Sequence, residues 1–286
     1  MAAAHDSMIV CQISDMHVRA GGGLAYGVVD TAAHLRRCIA HILASKQPPD
    51  AVVMTGDLVD AGKPEEYALL REIIAPLTMP VYLIPGNHDE REALRAAFPD
   101  HAYLNQFPPF IQYAIEEHEL RIVAIDTVIP RADGGELCAQ RLEWLALTLA
   151  TAPQRPTLLL MHHPPFATHI AFMDEIGLAA PDTLAQIVAK NPQIERILCG
   201  HLHRPIQARF AGTLACTAPS TAHQVTLDLA RDAPGTFIME PPAYYIHAWT
   251  AATGVVTHTA YVGDFPGPFP FDAAPNISPP PPQGKD

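Results

Sequence analysis

The stretch Val81-Tyr82-Leu83-Ile84-Pro85-Gly86-Asn87-His88-Asp89 decides how the rest of the chain is read. Val81 to Ile84 is a short apolar run of the kind that forms a buried strand. Gly86 breaks it, and three polar side chains follow at once. Asn87 offers a neutral amide oxygen to a metal, and His88 an imidazole to a substrate. A Gly-Asn pair alone is an ordinary turn signal. Here four other stretches share the design, each polar group following an apolar run: Asp15-Met16-His17, Gly56-Asp57, His162-His163 and Gly200-His201-Leu202-His203.

Working outward, strands alternate with helices. Ile9 to Ile13 and Ala51 to Met54 read as strands. A helix from about Asp30 to Ser45 is expected to carry Leu35, Ile39, Ile42 and Leu43 on one face, with Asp30 or Thr31 as its cap. Pro64 suits the first turn of the next helix, followed by Glu65 and Glu66 near its positive end. Further helices are expected over Glu90 to Phe98, Gln140 to Leu149 and Pro181 to Lys190. Strands are expected over Leu120 to Ile125, Thr157 to Met161 and Ile194 to Cys199. This alternation predicts an α/β fold with parallel central strands, and taken alone it leads to a single sheet. Polar residues just past the C-terminal ends of such strands are where ligands bind. From about Leu214 the pattern changes to strands without helices between them. The tail from Phe265 is Pro-rich, and Pro279 to Pro282 favours an extended form.

The chain has 286 residues, of which 49% are apolar and 17% charged, as in an ordinary globular enzyme. Its net charge of −12 argues against a nucleic-acid polymer as partner. Five scattered cysteines, with no CxxC pair, fit a reducing compartment. No apolar run is long enough to cross a membrane. The first apolar stretch runs straight into Asp15 and His17, so cleaving it as a leader would remove two candidate ligands. The expected location is the cytoplasm.

The candidate metal ligands are Asp15, His17, Asp57, Asn87, His162, His201 and His203. Seven ligands suit two ions better than one, with one carboxylate shared. Mixed nitrogen and oxygen donors point to two divalent ions of iron, manganese, zinc or cobalt. Their charge outweighs that of two carboxylates, so the centre attracts a phosphodiester monoanion even on an acidic protein. Two such ions activate a water and clamp the attacking and leaving oxygens of an in-line displacement. His88 is placed to meet the charge that develops on the phosphoryl group, which makes His88 and Asp57 the candidate catalytic residues. Asp89 either orients His88 or caps the following helix.

The ordered set Asp-x-His, Gly-Asp, Gly-Asn-His-Asp, His-His and Gly-His-x-His resembles that of the calcineurin-like binuclear metallophosphoesterases. The resemblance extends to the class III cyclic-nucleotide phosphodiesterases and especially to bacterial glycerophosphodiesterases. Ala25-Tyr26-Gly27-Val28-Val29-Asp30, Pro64-Glu65-Glu66-Tyr67, Met161-His162-His163-Pro164-Pro165, Ala222-His223-Gln224-Val225 and the ending Asn276-Ile277-Ser278 carry it. It implies a four-layer αββα sandwich with a small C-terminal β extension: a catalytic domain over 1–225, then 226–286 capping the site or joining subunits. It also implies that one ion takes Asp15, His17 and His203 and the other Asn87, His162 and His201. Asp57 would bridge them and His88 contact phosphate. Asn87, His88, His223 and Tyr26 would bind substrate, and a homo-oligomer is expected. Glycerophosphodiesters are then the first substrate class and 3′,5′- or 2′,3′-cyclic nucleotides the alternative. A non-catalytic scaffold of the same fold would be expected to have lost ligands that this chain keeps.

Other residues carry two readings. His163 supports its neighbour or is purely structural. Arg19 reaches phosphate or is solvated, and Tyr26 and His223 line the pocket or pack in the core. Asp126 makes a turn or supports the site. Leu202 gives the pocket an apolar rim that could favour a different leaving group. Ala61 stands where related Ser/Thr phosphatases place a phosphate-binding arginine, which disfavours a phosphoprotein substrate. The loops near 21–30, 126–138 and 166–180 are expected to shape the pocket.

Overall fold

A computed structural model describes residues 7–271. In the first half β1 (Ser7–Ile13), β2 (Ala51–Thr55) and β3 (Val81–Ile84) alternate with α1 (Thr31–Leu43), α2 (Pro64–Ile74) and α3 (Arg91–Ala97). The helices start where the sequence supplies an acceptor or a proline. Asp30 accepts from the Ala33 N–H at 2.9 Å, and Glu90 from the Ala93 N–H at 2.7 Å. Pro64 occupies the first position of α2, where its missing N–H costs nothing. The three strands pair in parallel.

The second half repeats the scheme with β4 (Tyr113–Ile115), β5 (Arg121–Ala124), α4 (Ala139–Ala150), β6 (Thr157–Leu160), α5 (Ala171–Glu175), α6 (Asp182–Ala189), β7 (Ile194–Cys199), β8 (Ile206–Phe210) and β9 (Thr213–Thr217). These strands form their own six-stranded sheet, ordered β4-β5-β6-β7-β9-β8. The single sheet suggested by strand-helix alternation is therefore corrected to two. Side-chain alternation gives the reason. Leu158 and Leu160 of β6 join the core that β1, β2 and β3 share. Leu159 and Met161 point the other way, against Leu145 and Leu149 of α4 and Leu184 and Val188 of α6. A sheet apolar on both faces needs two covers, here helices outside and the other sheet inside. Each such leucine contributes about 2 kcal/mol by burial. The result is the four-layer αββα sandwich that the resemblance implies.

After residue 225 the chain does two different things. β10 (Gln224–Val225) and β11 (Phe237–Ile238) form a short antiparallel ladder beside the site. The hairpin of β12 (Ala243–Thr250) and β13 (Gly254–Tyr261) pairs through β12 with β1, giving a first sheet ordered β13-β12-β1-β2-β3. The described part of the expected extension thus widens the main sheet with one hairpin and borders the site with the other ladder. A buried polar chain fastens it: His247 Nε2 lies 3.0 Å from Gln12 Oε1, and Gln12 Nε2 donates to the Cys199 carbonyl at 3.0 Å. Pro279 to Pro282 and Asn276-Ile277-Ser278 lie outside the described residues. Among the described residues no helix is long and apolar enough to cross a membrane.

Candidate metal centre

Parallel strands from both sheets end at one edge of the sandwich, and the ligand-type residues follow within three positions. Asp15 follows β1, Asp57 follows β2 and Asn87 follows β3, while His162 follows β6 and His201 follows β7. Asp15, His17, Asp57, His201 and His203 all have positive φ, between 43° and 70°. Non-glycine residues hold this conformation only where the surroundings impose it, which happens at functional sites. Gly86 makes room for the cluster: a Cβ there would lie 2.2 Å from Asp57 Oδ1 and 2.8 Å from His162 Cε1.

Main-chain carbonyls set the direction of two imidazoles. His162 Nδ1 donates to the Thr55 carbonyl at 2.8 Å, and His203 Nδ1 to the His223 carbonyl at 3.2 Å. A carbonyl only accepts, so each neutral ring turns an Nε2 lone pair inward. His203 Nε2 lies 3.1 Å from His17 Nε2, and His162 Nε2 lies 3.1 Å from Asn87 Oδ1. Asn87 Oδ1 is also 3.1 Å from His201 Nδ1. Asp57 Oδ2 stands between the two groups, 3.4 Å from His17 Nε2 and 3.5 Å from His162 Nε2. Asp15 completes the first group at 3.7 Å from His203 Nε2. Its Oδ1 accepts from the His201 N–H at 2.8 Å. Its Oδ2 is buried without a hydrogen-bond partner.

Lone pairs converging at such distances, beside an orphaned buried carboxylate oxygen, fit cations between them. The seven residues form two donor sets sharing Asp57, suited to two ions.

The electrostatics agree. Burial raises Asp15 to about 6, with the charge of Asp57 adding to it. Burial would lower His162, but the Asp57 charge prevails and pushes it up to about 9, so the carboxylates favour positive charge here, which a bound ion would supply in place of the ring proton. Burial works against Asp57 too, yet the charges of His162 and His88 keep it well below its ordinary value. His201 and His203 are driven well below theirs, first by burial and then by neighbouring histidines.

His88 lies half-buried beside this cluster, its ring centroid 4.5 Å from that of His17. Its N–H donates to Asp57 Oδ1 at 3.0 Å. A cleft of about 410 Å³ opens over the cluster, lined by His17, Asp57 and His88 below and by Tyr26, His223 and Phe237 on one wall. Tyr26, 56% exposed, packs its ring against His223 and Phe237 at 5.3 and 4.8 Å. Both residues therefore border the cleft.

The sequence matches the family model of the calcineurin-like phosphoesterases over residues 8–205. The chain belongs to that family. A probable glycerophosphodiester phosphodiesterase of Arcobacter nitrofigilis is 40% identical over 265 residues, 92% of this chain and 97% of that protein. A probable cyclic nucleotide phosphodiesterase of Rhodopseudomonas palustris is 37% identical over 253 residues, 86% of this chain and 89% of that one. Among solved structures, a dimetal phosphatase from Danio rerio superimposes with a TM-score of 0.60 at 14% identity, covering 90% of this chain and 99% of its own. At that identity the likeness concerns the fold alone.

Two expectations for this phosphoesterase need correction, those for Asp89 and Leu202, while the open readings of Arg19, Asp126 and His163 are narrowed. Asp89 neither orients His88 nor caps α3, which Glu90 does. It is buried and accepts from the N–H groups of Gly86 (2.8 Å) and Leu58 (3.0 Å) and from the Tyr67 hydroxyl (2.9 Å). It thus ties the loop after β2 to the loop after β3. Leu202 forms no rim: it is 1% exposed and packs with Ile170 and Met173. Arg19 faces Asp60 at 3.4 Å and the Leu24 carbonyl at 3.2 Å. Asp126 receives both forks of Arg91, at 2.7 and 2.9 Å, and braces α3 against the second sheet. His163, whose ring packs beside those of His162 and His201, has Nδ1 2.8 Å from the Thr127 hydroxyl and Nε2 3.0 Å from the Asp133 carbonyl, which engages both nitrogens.

Sequence reasoning missed Asp60. Its main-chain oxygen accepts from His88 Nδ1 at 2.7 Å, and its carboxylate lies 3.5 Å from His17 Nδ1. The one available signal was its position in the Gly56–Gly62 loop beside Asp57. Phe172 and Phe237 were also missed, because nothing in a lone phenylalanine marks it as a cleft wall.

Proposed function

We propose that the protein is a metal-dependent hydrolase of small phosphodiesters, with glycerophosphodiesters as its first substrate class. The observation that carries this reading is the placement of Asp57 Oδ2 between two donor sets, 3.4 and 3.5 Å from His17 and His162, with His88 on the adjoining cleft wall. Asp15, His17 and His203 would hold one ion and Asn87, His162 and His201 the other, with Asp57 shared. Two divalent ions held there supply Lewis-acid activation of water and draw charge from the phosphoryl group. His88, fixed through Nδ1, turns its other nitrogen toward the phosphoryl oxygens. Asn87 adds an amide dipole, and His223 and Tyr26 confine the ester arms.

The 40% identical relative favours glycerophosphodiesters. Cyclic nucleotides are the second reading, supported by the 37% identical one. Iron, manganese, zinc and cobalt all suit the donor set. The five free cysteines, four of them buried, favour a reducing cytoplasm. We further propose a homo-oligomer, on family resemblance.

The test is a set of initial rates for metal-free protein reconstituted with Mn²⁺, Zn²⁺ or Co²⁺. Substrates are glycerophosphoethanolamine, 3′,5′-cyclic AMP, 2′,3′-cyclic AMP and an aryl phosphomonoester. Dominant kcat/KM on the glycerophosphodiester is expected. Dominance by a cyclic nucleotide overturns the substrate, and absence of metal-dependent turnover overturns the reading.

A further inference from the structure

Each donor set of the centre spans both sheets. Asp15 and His17 follow a strand of the first sheet, and His203 one of the second. Asn87 likewise follows the first, while His162 and His201 follow the second. An ion can be held at these positions only if the two sheets keep one alignment. The layer between them is largely apolar, with Leu158, Leu160 and Leu198 of the second sheet packed into the core of the first. Apolar contact has no direction and does not by itself fix how one sheet lies along the other.

Gln12, on β1, supplies the direction. It is fully buried, and its Nε2 donates to the Cys199 carbonyl at the end of β7 (3.0 Å) and to the Thr55 hydroxyl at the end of β2 (2.9 Å). The Cys199 carbonyl only accepts, so the amide nitrogen faces it and Oε1 faces His247. His247 Nε2 then carries the proton and donates at 3.0 Å. Its Nδ1 accepts from the Thr257 hydroxyl, which receives Arg196. On the other side of Gln12, the Thr55 hydroxyl donates to Ser14 Oγ at 2.8 Å, and the Thr55 carbonyl receives His162 Nδ1 at 2.8 Å. One run of hydrogen bonds thus links the hairpin of β12 and β13 to the residue that orients His162. The same amide grips the strand that leads into Gly200-His201. Gly200 shows how close the sheets come there: a Cβ would lie 2.3 Å from Ser14 Oγ and 2.6 Å from the Thr55 carbonyl oxygen.

Both ends of this arrangement concern one donor set, that of Asn87, His162 and His201. His203, in the other set, takes its direction from the His223 carbonyl and not from this run. We infer that Gln12 is a positioning residue: by tying the ends of β2 and β7 together, it holds His162 and His201 where an ion shared with Asn87 can be bound. His247 acts one step further out, fixing which way the Gln12 amide turns. This rests on the two-ion reading of the centre and is independent of the substrate.

The experiment titrates metal-free protein with Mn²⁺ by calorimetry and follows urea unfolding of the same metal-free samples. Gln12→Met keeps the side-chain length and removes its hydrogen bonds. It should weaken one binding step roughly ten- to hundred-fold, the same step that Asn87→Ala weakens, and spare the other. His247→Gln, whose amide can still donate to Gln12, should bind both ions as the wild type does. Gln12→Met leaves the His247 N–H unpaired, so combining it with His247→Leu should return part of the lost stability. In that double variant the weakened step should stay weak. Recovery of metal affinity together with stability would reduce Gln12 to a packing role and overturn the inference, as would equal weakening of both steps. A wild-type protein that takes up no Mn²⁺ would overturn the two-ion reading along with it.

Discussion

His88 Nδ1 donates to the main-chain oxygen of Asp60 at 2.7 Å. That bond comes from the backbone of the loop that also carries Asp57, so the imidazole and the shared carboxylate are held by one segment. Among the described residues the other ring nitrogen has no hydrogen-bond partner, and it borders the cleft. Replacing His88 by Asn should lower kcat/KM by about 10² to 10⁴. Elemental analysis should still find the same number of ions per chain. Unaltered turnover would remove His88 from the chemistry.

Asn87 contributes the only amide among the seven, and its Oδ1 lies 3.1 Å from both His162 Nε2 and His201 Nδ1. An amide oxygen is a weaker donor than a carboxylate. Asn87→Ala should therefore weaken the ion shared with His162 and His201 and spare the one near Asp15, His17 and His203. Calorimetric titration with Mn²⁺ should show one of two binding steps weakened. Equal weakening of both steps would contradict the division into two donor sets.

Gly86 tests the packing directly, because its φ is not positive and only sterics forbid a side chain. A Cβ 2.2 Å from Asp57 Oδ1 must displace the shared carboxylate. Gly86→Ala should lose binding of both ions and cost about 1–3 kcal/mol of stability from overpacking. Metal titration and urea unfolding measure the two effects. Wild-type metal affinity in the variant would mean the loop yields without moving Asp57.

His247 gives a pH prediction away from the centre. Burial, and secondarily Arg196, lowers it from 6.5 to about 3. Its Nε2 faces Gln12 Oε1, and Nδ1 lies 2.9 Å from the Thr257 hydroxyl, which also receives Arg196. The native state keeps the ring neutral while the unfolded chain protonates it near pH 6.5. Stability from this group is thus present above pH 6.5 and lost as pH falls toward 3. His247→Gln removes that dependence. Between pH 7 and 5.5 the metal-free wild type should lose about 1 kcal/mol more than the variant in urea unfolding. Equal losses would show that His247 does not titrate as described.

The site was legible in the sequence to the extent that its candidate ligands sit at fixed offsets from strand ends. An apolar run followed by Gly-Asp or Gly-Asn-His states both a strand and a polar loop, and such local patterns survive without knowledge of the fold. Helix starts were legible for the same reason: Asp30 and Pro64 act within one turn. Asp60 and Phe237 were not legible. Asp60 acts on His88 through its main-chain oxygen, which no side-chain pattern records. Phe237 matters only because β10 and β11 bring it against Tyr26, more than two hundred residues away in sequence.

By itself, then, the sequence determined most of the strand-helix alternation and the set of candidate metal ligands, since both follow from local periodicity and side-chain chemistry. Tertiary structure decided three things: that the strands divide into two facing sheets, that the hairpin Ala243–Thr250 and Gly254–Tyr261 completes the first, and that Tyr26 and Phe237 meet on one wall of the cleft. The physical reason is common to all three. Apolar strands state that they need covering on both faces but not by what, and only long-range packing makes that choice.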